Sequence, residues 1–142
     1  MKRCIVLSVI SCLLLISCNN PVANKAKIKF QTVVLDFGKI KAGDTISQTF
    51  DFVNIGNDTL LIVQVQPSCE CTLADYSKAP VLPGNRGFIN IKYASNKKVD
   101  IGKQIKTVIV QTNSDTLLTV LKVTGIVEND SLKKVLQQLE RI

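Results

Sequence analysis

Between Ile28 and Val127 the chain repeats one pattern: short runs rich in Val, Ile, Thr, Phe and Tyr, with apolar and polar residues alternating and turn residues between runs. Ile46, Gln48, Phe50 and Phe52 fall on one side of such a run, and Ser47, Thr49 and Asp51 on the other. Ile89, Ile91 and Tyr93 oppose Asn90 and Lys92 in the same way. Successive side chains of an extended strand point to opposite sides, so a period of two predicts strands with one buried and one wet face. The pattern predicts strands over 28–37, 45–54, 59–66, 86–94, 103–112 and 116–127, with a short edge strand or a loop between Thr72 and Val81. Turn chemistry separates them at Asp36-Phe37-Gly38, Gly43-Asp44, Asn54 to Asp58, and Leu82-Pro83-Gly84-Asn85. Asn113-Ser114-Asp115, between two long runs, predicts a hairpin. About seven strands in this span predict an all-β fold, a single antiparallel immunoglobulin-like β-sandwich. No βαβ alternation and no internal repeat accompanies them.

Both ends of the chain change character. After Glu128, Asn129-Asp130-Ser131 offers a helix cap, and Leu132, Val135, Leu136, Leu139 and Ile142 follow at helical spacing. Residues 128–142 are therefore expected to form a short amphipathic helix, packed over an open end of the sandwich or docked on a partner. At the other end, Lys2 and Arg3 precede an apolar stretch from Ile5 to Ile16, then Ser17 and Cys18. That order matches a bacterial lipoprotein signal: the Cys18 thiol takes a diacylglycerol, and cleavage follows the small Ser17. An ordinary secretory signal is the plainer alternative. A rival cut at Ser11-Cys12 would leave Leu13 to Ile16 exposed on the mature chain. The stretch is too short to span a bilayer, which takes about 20 apolar residues. The expected organisation is a leader over 1–17, a lipidated tether over 18–27, the sandwich over 28–127 and the helix over 128–142.

Removing 1–17 from the 142 residues leaves 125, enough for one domain with a real core, and lowers the net charge from +7 to +5. The remaining lysines are scattered, apart from Lys25, Lys27 and Lys29, which alternate close to the anchor and could meet anionic headgroups. Unclustered cations, few aromatics and an exported location disfavour nucleic acid as a partner. The chain has no histidine, and Met1 is its only methionine. That excludes Ser-His-Asp and Cys-His catalysis as well as histidine-based zinc and blue-copper sites. Acidic residues occur singly, so no acid–base pair stands out.

The succession Asp36-Phe37-Gly38, Phe50 to Gly56, Pro67-Ser68-Cys69-Glu70-Cys71-Thr72, Leu82-Pro83-Gly84, Gly87-Phe88-Ile89, Gln111-Thr112-Asn113 and Thr124-Gly125 resembles the bacterial domain-of-unknown-function 1573 family. The resemblance runs over roughly residues 33–127. Its most specific element is Cys-x-Cys-Thr followed about a dozen residues later by Pro-Gly; here the middle residue is Glu70, where the family commonly has glycine. The resemblance implies an immunoglobulin-like fold, in the style of major sperm protein and Hydin-type domains. It marks Asn54, Gly56, Thr72, Pro83, Gly84 and Asn113 as motif positions, and it implies little about activity.

With Cys4 and Cys12 in the leader and Cys18 lipidated, Cys69 and Cys71 are the free pair in an oxidising compartment. In a strand, residues two apart have Cα atoms about 6.6 Å apart, near the limit for a disulfide, so a bond between them needs a local bend. Two neighbouring thiolates would alternatively suit Cu(I). A thiol oxidoreductase is disfavoured, because no helix follows Cys71 to lower its pKa. Two functions remain. The first is a non-catalytic binding or structural module without a cofactor, anchored by lipid at the outer membrane, facing the periplasm and engaging a protein partner. The second is a Cu(I)-binding or thiol-redox protein acting through Cys69 and Cys71.

The anchor is directly testable. One acyl chain binds a membrane marginally and two or more hold it firmly, at about 0.8 kcal/mol per buried CH₂. Cys18→Ala is expected to abolish lipid labelling and leave the precursor uncut, while Cys12→Ala changes neither. Mass spectrometry of the mature terminus reads the outcome.

Overall fold

The computed structural model describes residues 24–129, 135 and 137–141. The leader, Ser17 and Cys18 lie outside the described residues, as do Asp130, Ser131, Leu132, Leu136 and Ile142 of the expected C-terminal helix. Eight strands are formed: β1 Ile28–Phe30, β2 Val34–Lys41, β3 Thr45–Asn54, β4 Ile62–Pro67, β5 Thr72–Tyr76, β6 Arg86–Ala94, β7 Gly102–Thr112 and β8 Leu118–Glu128. They make two four-stranded sheets, β1-β3-β6-β5 and β2-β8-β7-β4. The all-β sandwich expected from the alternation is what forms. No helix among the described residues is long and apolar enough to cross a membrane.

The core follows the period of two. In the β3–β6 pair Phe50 stands opposite Ile89, and Phe52 opposite Gly87. Phe50, Phe52, Ile89, Ile91 and Tyr93 are all buried. Val108, Val110, Leu121 and Val123 meet them from the inner face of β7 and β8. Gly87 is where it is because the Phe52 ring lies over it: a Cβ there would sit 2.4 Å from the ring carbon Cζ.

Three details depart from the antiparallel, seven-strand expectation. The run 28–37 is not one strand but two, in different sheets: β1 pairs with β3, and β2 with β8. The break falls at Gln31–Val33, where the Thr32 hydroxyl both accepts from the Val34 amide at 3.2 Å and donates to the Val34 carbonyl at 2.8 Å. This local bonding competes with the ladder and lets the chain change sheets. Second, β2 and β8 run parallel. Third, the register of that pair shifts between Asp36 and Lys39, with Gly38 at φ +71°. That bulge needs a residue tolerant of the left-handed region.

The segment preceding β1 is tied down. Ala26 is buried, and the carbonyls of Lys25 and Lys27 accept from the amides of Asn57 and Ile55 at 3.1 and 2.8 Å. At the other end, Val135 and Gln137–Leu139 are helical, and Val135 and Leu139 are exposed.

The register sets a clear expectation. Phe52→Ala should cost about 3–5 kcal/mol, the usual penalty for an emptied aromatic site in a core. Lys92→Ala, on the solvent side of the adjacent strand, should be nearly silent. Urea denaturation of the two variants checks the difference.

Candidate functional site

The motif positions divide into two groups, gathered around the connections that enter and leave β4. Asn54, at the end of β3, is fully buried. Its Nδ2 donates to the carbonyls of Asp58 at 2.7 Å and Val81 at 2.9 Å. Its Oδ1 accepts from the amides of Gly56 at 3.0 Å and Lys27 at 3.3 Å. All four hydrogen-bonding valences of the amide are used. Gly56 has no room for a side chain, since a Cβ would lie 2.2 Å from the Lys25 carbonyl oxygen. Pro83 and Gly84 occupy the centre of a turn closed by the Asn85 amide on the Leu82 carbonyl at 3.0 Å, with Gly84 at φ +78°. A fixed φ followed by a positive one is the requirement of a type II turn. Asn113 reaches across to the segment before β4, its Oδ1 accepting from the Leu61 amide at 2.8 Å and its Nδ2 donating to the Thr59 carbonyl at 3.0 Å. These residues carry structure rather than chemistry.

Cys69 and Cys71 occupy the next crossover along the chain, between β4 in one sheet and β5 in the other. The Thr72 amide bonds the Cys69 carbonyl at 3.1 Å, bending 69–72 into a turn. The bend brings the two Cα atoms to 5.3 Å, and the sulfurs are joined in a disulfide. Thr72 is buried behind them, its hydroxyl 3.4 Å from the Cys69 sulfur and 3.9 Å from that of Cys71. With both sulfurs in the bond neither is a free thiolate, which the copper alternative requires. Among the described residues, no group of three or more His, Cys, Asp or Glu could hold a metal.

The disulfide opens onto β5, an outer strand of its sheet. The Ala94 amide bonds the Cys71 carbonyl, and the Ser77 amide bonds the Phe88 carbonyl. These bonds mark alternate residues, Leu73 and Asp75 among them, as the ones facing β6. The main-chain groups of Thr72, Ala74 and Tyr76 therefore face the open side. The Thr72 and Tyr76 amides have local partners in the Cys69 carbonyl and the Asp75 carboxylate. Among the described residues no hydrogen bond engages the Ala74 amide or the three carbonyls.

One cluster beside this crossover has no counterpart in the motif residues. Tyr93, which stands opposite Thr72, is buried, and its hydroxyl is the one buried side-chain polar atom left without a hydrogen bond among the described residues. Lys106 Nζ lies 5.0 Å from the centre of its ring and 3.0 Å from Asp100 Oδ1. Asp100 Oδ2 accepts from the Asn96 amide at 2.9 Å. Burial, followed by the nearby Asp100 charge, pushes the Tyr93 phenol well above its usual range, so it stays neutral. Burial opposes ionisation of Asp100 too, but the Asn96 amide and Lys106 outweigh it and lower the carboxyl below its ordinary value. A separate cleft of about 440 Å³ lies at the β2 bulge, lined by Asp36, Gly38, Lys39, Lys103, Thr124 and Ile126 among others.

The family model of DUF1573, described as a protein of unknown function, matches residues 28–127. The chain belongs to this family. No curated protein matches it. Among solved structures, this DUF1573 domain is similar to a protein of unknown function from Porphyromonas gingivalis W83, with a TM-score of 0.64 and 18% identity over 76% of this chain. It spans about half (51%) of that protein. It is also similar to a PapD-like domain of human CEP192, at TM-score 0.55 and 9% identity, covering 74% of this chain and 87% of that one. A third likeness is to the CsuC–CsuE chaperone–tip adhesion subunit complex from Acinetobacter baumannii, at TM-score 0.51 and 12% identity, covering 72% and 58%. At these identities the likeness is one of fold alone.

The Asp100–Lys106 pair generates a two-part expectation. Removing one partner leaves the other buried and unpaired, which costs about 3–5 kcal/mol, whereas removing both costs far less than the sum. Lys106→Met and Asp100→Asn are thus expected to be strongly non-additive in a double-mutant cycle. A carboxyl with a lowered folded pKa contributes stability above its unfolded value, and loses it as pH falls through the folded value. The stability gap between wild type and Asp100→Asn should therefore be full at pH 6 and shrink as pH falls below 3.8.

Proposed function

We propose that this DUF1573 domain is a non-catalytic binding module, held by lipid at Cys18 on the periplasmic side of the outer membrane, that takes up an extended segment of another polypeptide at the β5 edge. The observation that carries this reading is the contrast among the four sheet edges. β1 has only three residues. β2 is interrupted by its bulge at Gly38, and β4 carries a register shift between Ile62 and Gln64 and ends in Pro67. Short, bulged or proline-ended strands are the devices that discourage pairing with another chain. β5 has none of them: its five residues pair with β6 without a register shift. Leu73, two-thirds exposed at 66%, adds an apolar contact on its solvent side. Strand addition gains affinity from the main chain and specificity from alternate side chains. A chain of the Acinetobacter chaperone–tip adhesion subunit complex shares this sandwich. That supports a binding role for the fold.

Ala74→Pro tests the reading, because it deletes an outward amide and leaves the β6 ladder intact. Crosslinking in intact envelopes should capture a partner with the wild-type protein and lose it with Ala74→Pro, while Ala74→Val retains it. Undiminished capture by a folded Ala74→Pro protein would refute the β5 edge as the binding site.

A further inference from the structure

The connections at the Asn54 end of the sandwich carry more aliphatic surface than turns ordinarily do. Ile55 follows β3, Leu82 opens the turn before β6, and Leu117 closes the β7–β8 hairpin, at 55%, 55% and 64% exposure. Leu61, just before β4, and Leu118, at the start of β8, are exposed as well. Main-chain bonds hold these tips together. The Gly84 amide meets the Asn54 carbonyl at 2.8 Å, the Ile55 amide the Lys27 carbonyl at 2.8 Å, and the Asp115 amide the Ala26 carbonyl at 3.2 Å. Turn positions normally go to Gly, Pro, Asn, Asp and Ser. Aliphatic tips gathered at one end and rimmed by polar residues mark a surface that meets a protein or a membrane.

The rim is basic. Lys25, Lys27, Lys29 and Arg86 are exposed around the tips, and the carboxylates in these connections are Asp58 and Asp115. Lys27 lies 3.9 Å from Asp115. Lys29 and Arg86 both stand opposite Val53, one on each side of β3. We propose that this end of the sandwich is a membrane-contact surface: Ile55, Leu82 and Leu117 enter the headgroup region of a bilayer whose anionic phospholipids meet Lys25, Lys29 and Arg86.

The point where the chain enters the domain selects a bilayer as the occupant; this step rests on the lipid anchor at Cys18 proposed above. Ala26 is buried, and the Lys25 amide donates to Asn57 Oδ1 at 2.8 Å, so the entry is pinned to this end. Cys18 precedes Lys25 by seven residues, which reach at most about 25 Å. β8, eleven residues long, runs roughly 33 Å to the opposite end. That end also exposes Val99 and Ile101. A lipid at Cys18 cannot hold it against the bilayer, because the tether is shorter than the strand. The same anchor keeps the aliphatic tips within reach of the headgroups. Interfacial attachment strengthens with buried apolar area and with attraction to anionic lipid, so tips and cations act together.

The chain has no tryptophan, so a single introduced indole reports alone. The mature chain, residues 18–142 carrying Leu117→Trp or, at the far end, Val99→Trp, is coupled through the Cys18 thiol to a maleimide lipid in vesicles of phosphatidylcholine and phosphatidylglycerol. Chemical coupling separates this test from whether the cell lipidates Cys18, which mass spectrometry of the mature terminus decides. Lipids brominated in their acyl chains should quench Leu117→Trp severalfold more than Val99→Trp. Quenching should fall about twofold or more at high salt and in Lys25→Glu/Lys29→Glu/Arg86→Glu, and likewise in Ile55→Ser/Leu82→Ser. Circular dichroism confirms that each variant retains the sandwich. No quenching of Leu117→Trp, or equal quenching at both ends, would overturn the proposal. Quenching unchanged in Ile55→Ser/Leu82→Ser would assign it to the tether alone and overturn the surface. An indole that lipid leaves unquenched but added envelope protein buries would give this end to a protein partner instead.

Discussion

One buried side chain, Asn54, holds together the end of the sandwich where the chain passes from β3 to β4 in the other sheet. It follows Phe50 and Phe52 at the next inward position of β3, so the alternation drives an amide into a place that otherwise takes an aliphatic group. A buried amide left unpaired costs on the order of 1–3 kcal/mol for each unsatisfied group. The four segments that satisfy it, at Lys27, Gly56, Asp58 and Val81, are thereby fixed to one point. The main chain adds to this: the Gly84 amide bonds the Asn54 carbonyl, and Leu60 and Val81 bond each other in both directions. Because Leu60 is the last core residue before β4, the geometry around Asn54 decides where β4 enters the second sheet.

The exit from β4 is fixed by different means. A disulfide between residues two apart closes too short a loop to restrict the unfolded chain appreciably, so its entropic contribution is small. What it does is local. It holds the turn from which the Cys71 carbonyl meets the Ala94 amide, and so starts the β5 ladder in register. Asn54 and Asn113 at one end of β4, and the disulfide at the other, tie down the two crossovers that flank β4. That explains why the motif residues gather there although they do not form one site.

Period-two alternation made the strands and the core legible, because burial depends on which side of a strand a residue faces. It says nothing about which strands pair, so the parallel β2–β8 pair and the division of 28–37 between sheets could not be read from it. Those depend on Thr32 and Gly38, whose effects are local and specific. The Asp100–Lys106 pair was missed because isolated charges ordinarily read as solvated. The signal was nevertheless present. Lys106 occupies the inward position of a run that continues with Val108, Val110 and Thr112. A lysine in that phase must find a carboxylate or distort the strand, and Asp100 in the preceding loop supplies one. The Cys69–Cys71 bond was legible as a possibility that needed a bend, and the turn closed by Thr72 provides it.

An open sheet edge invites any extended chain, so an edge is useful only where its register is held and its competitors are closed. Three edges here are shortened, bulged or ended by proline, and the fourth begins at a covalent staple. The staple matters most at the first residues of β5, since a slip by one would turn Leu73 inward and Thr72 outward. Thr72 cannot turn outward cheaply: it is packed against Tyr93 and the disulfide, in front of a buried ion pair. The polar cluster inside and the staple outside therefore fix the same register from two sides. A strand edge held in one register is what the proposed uptake of an extended chain requires.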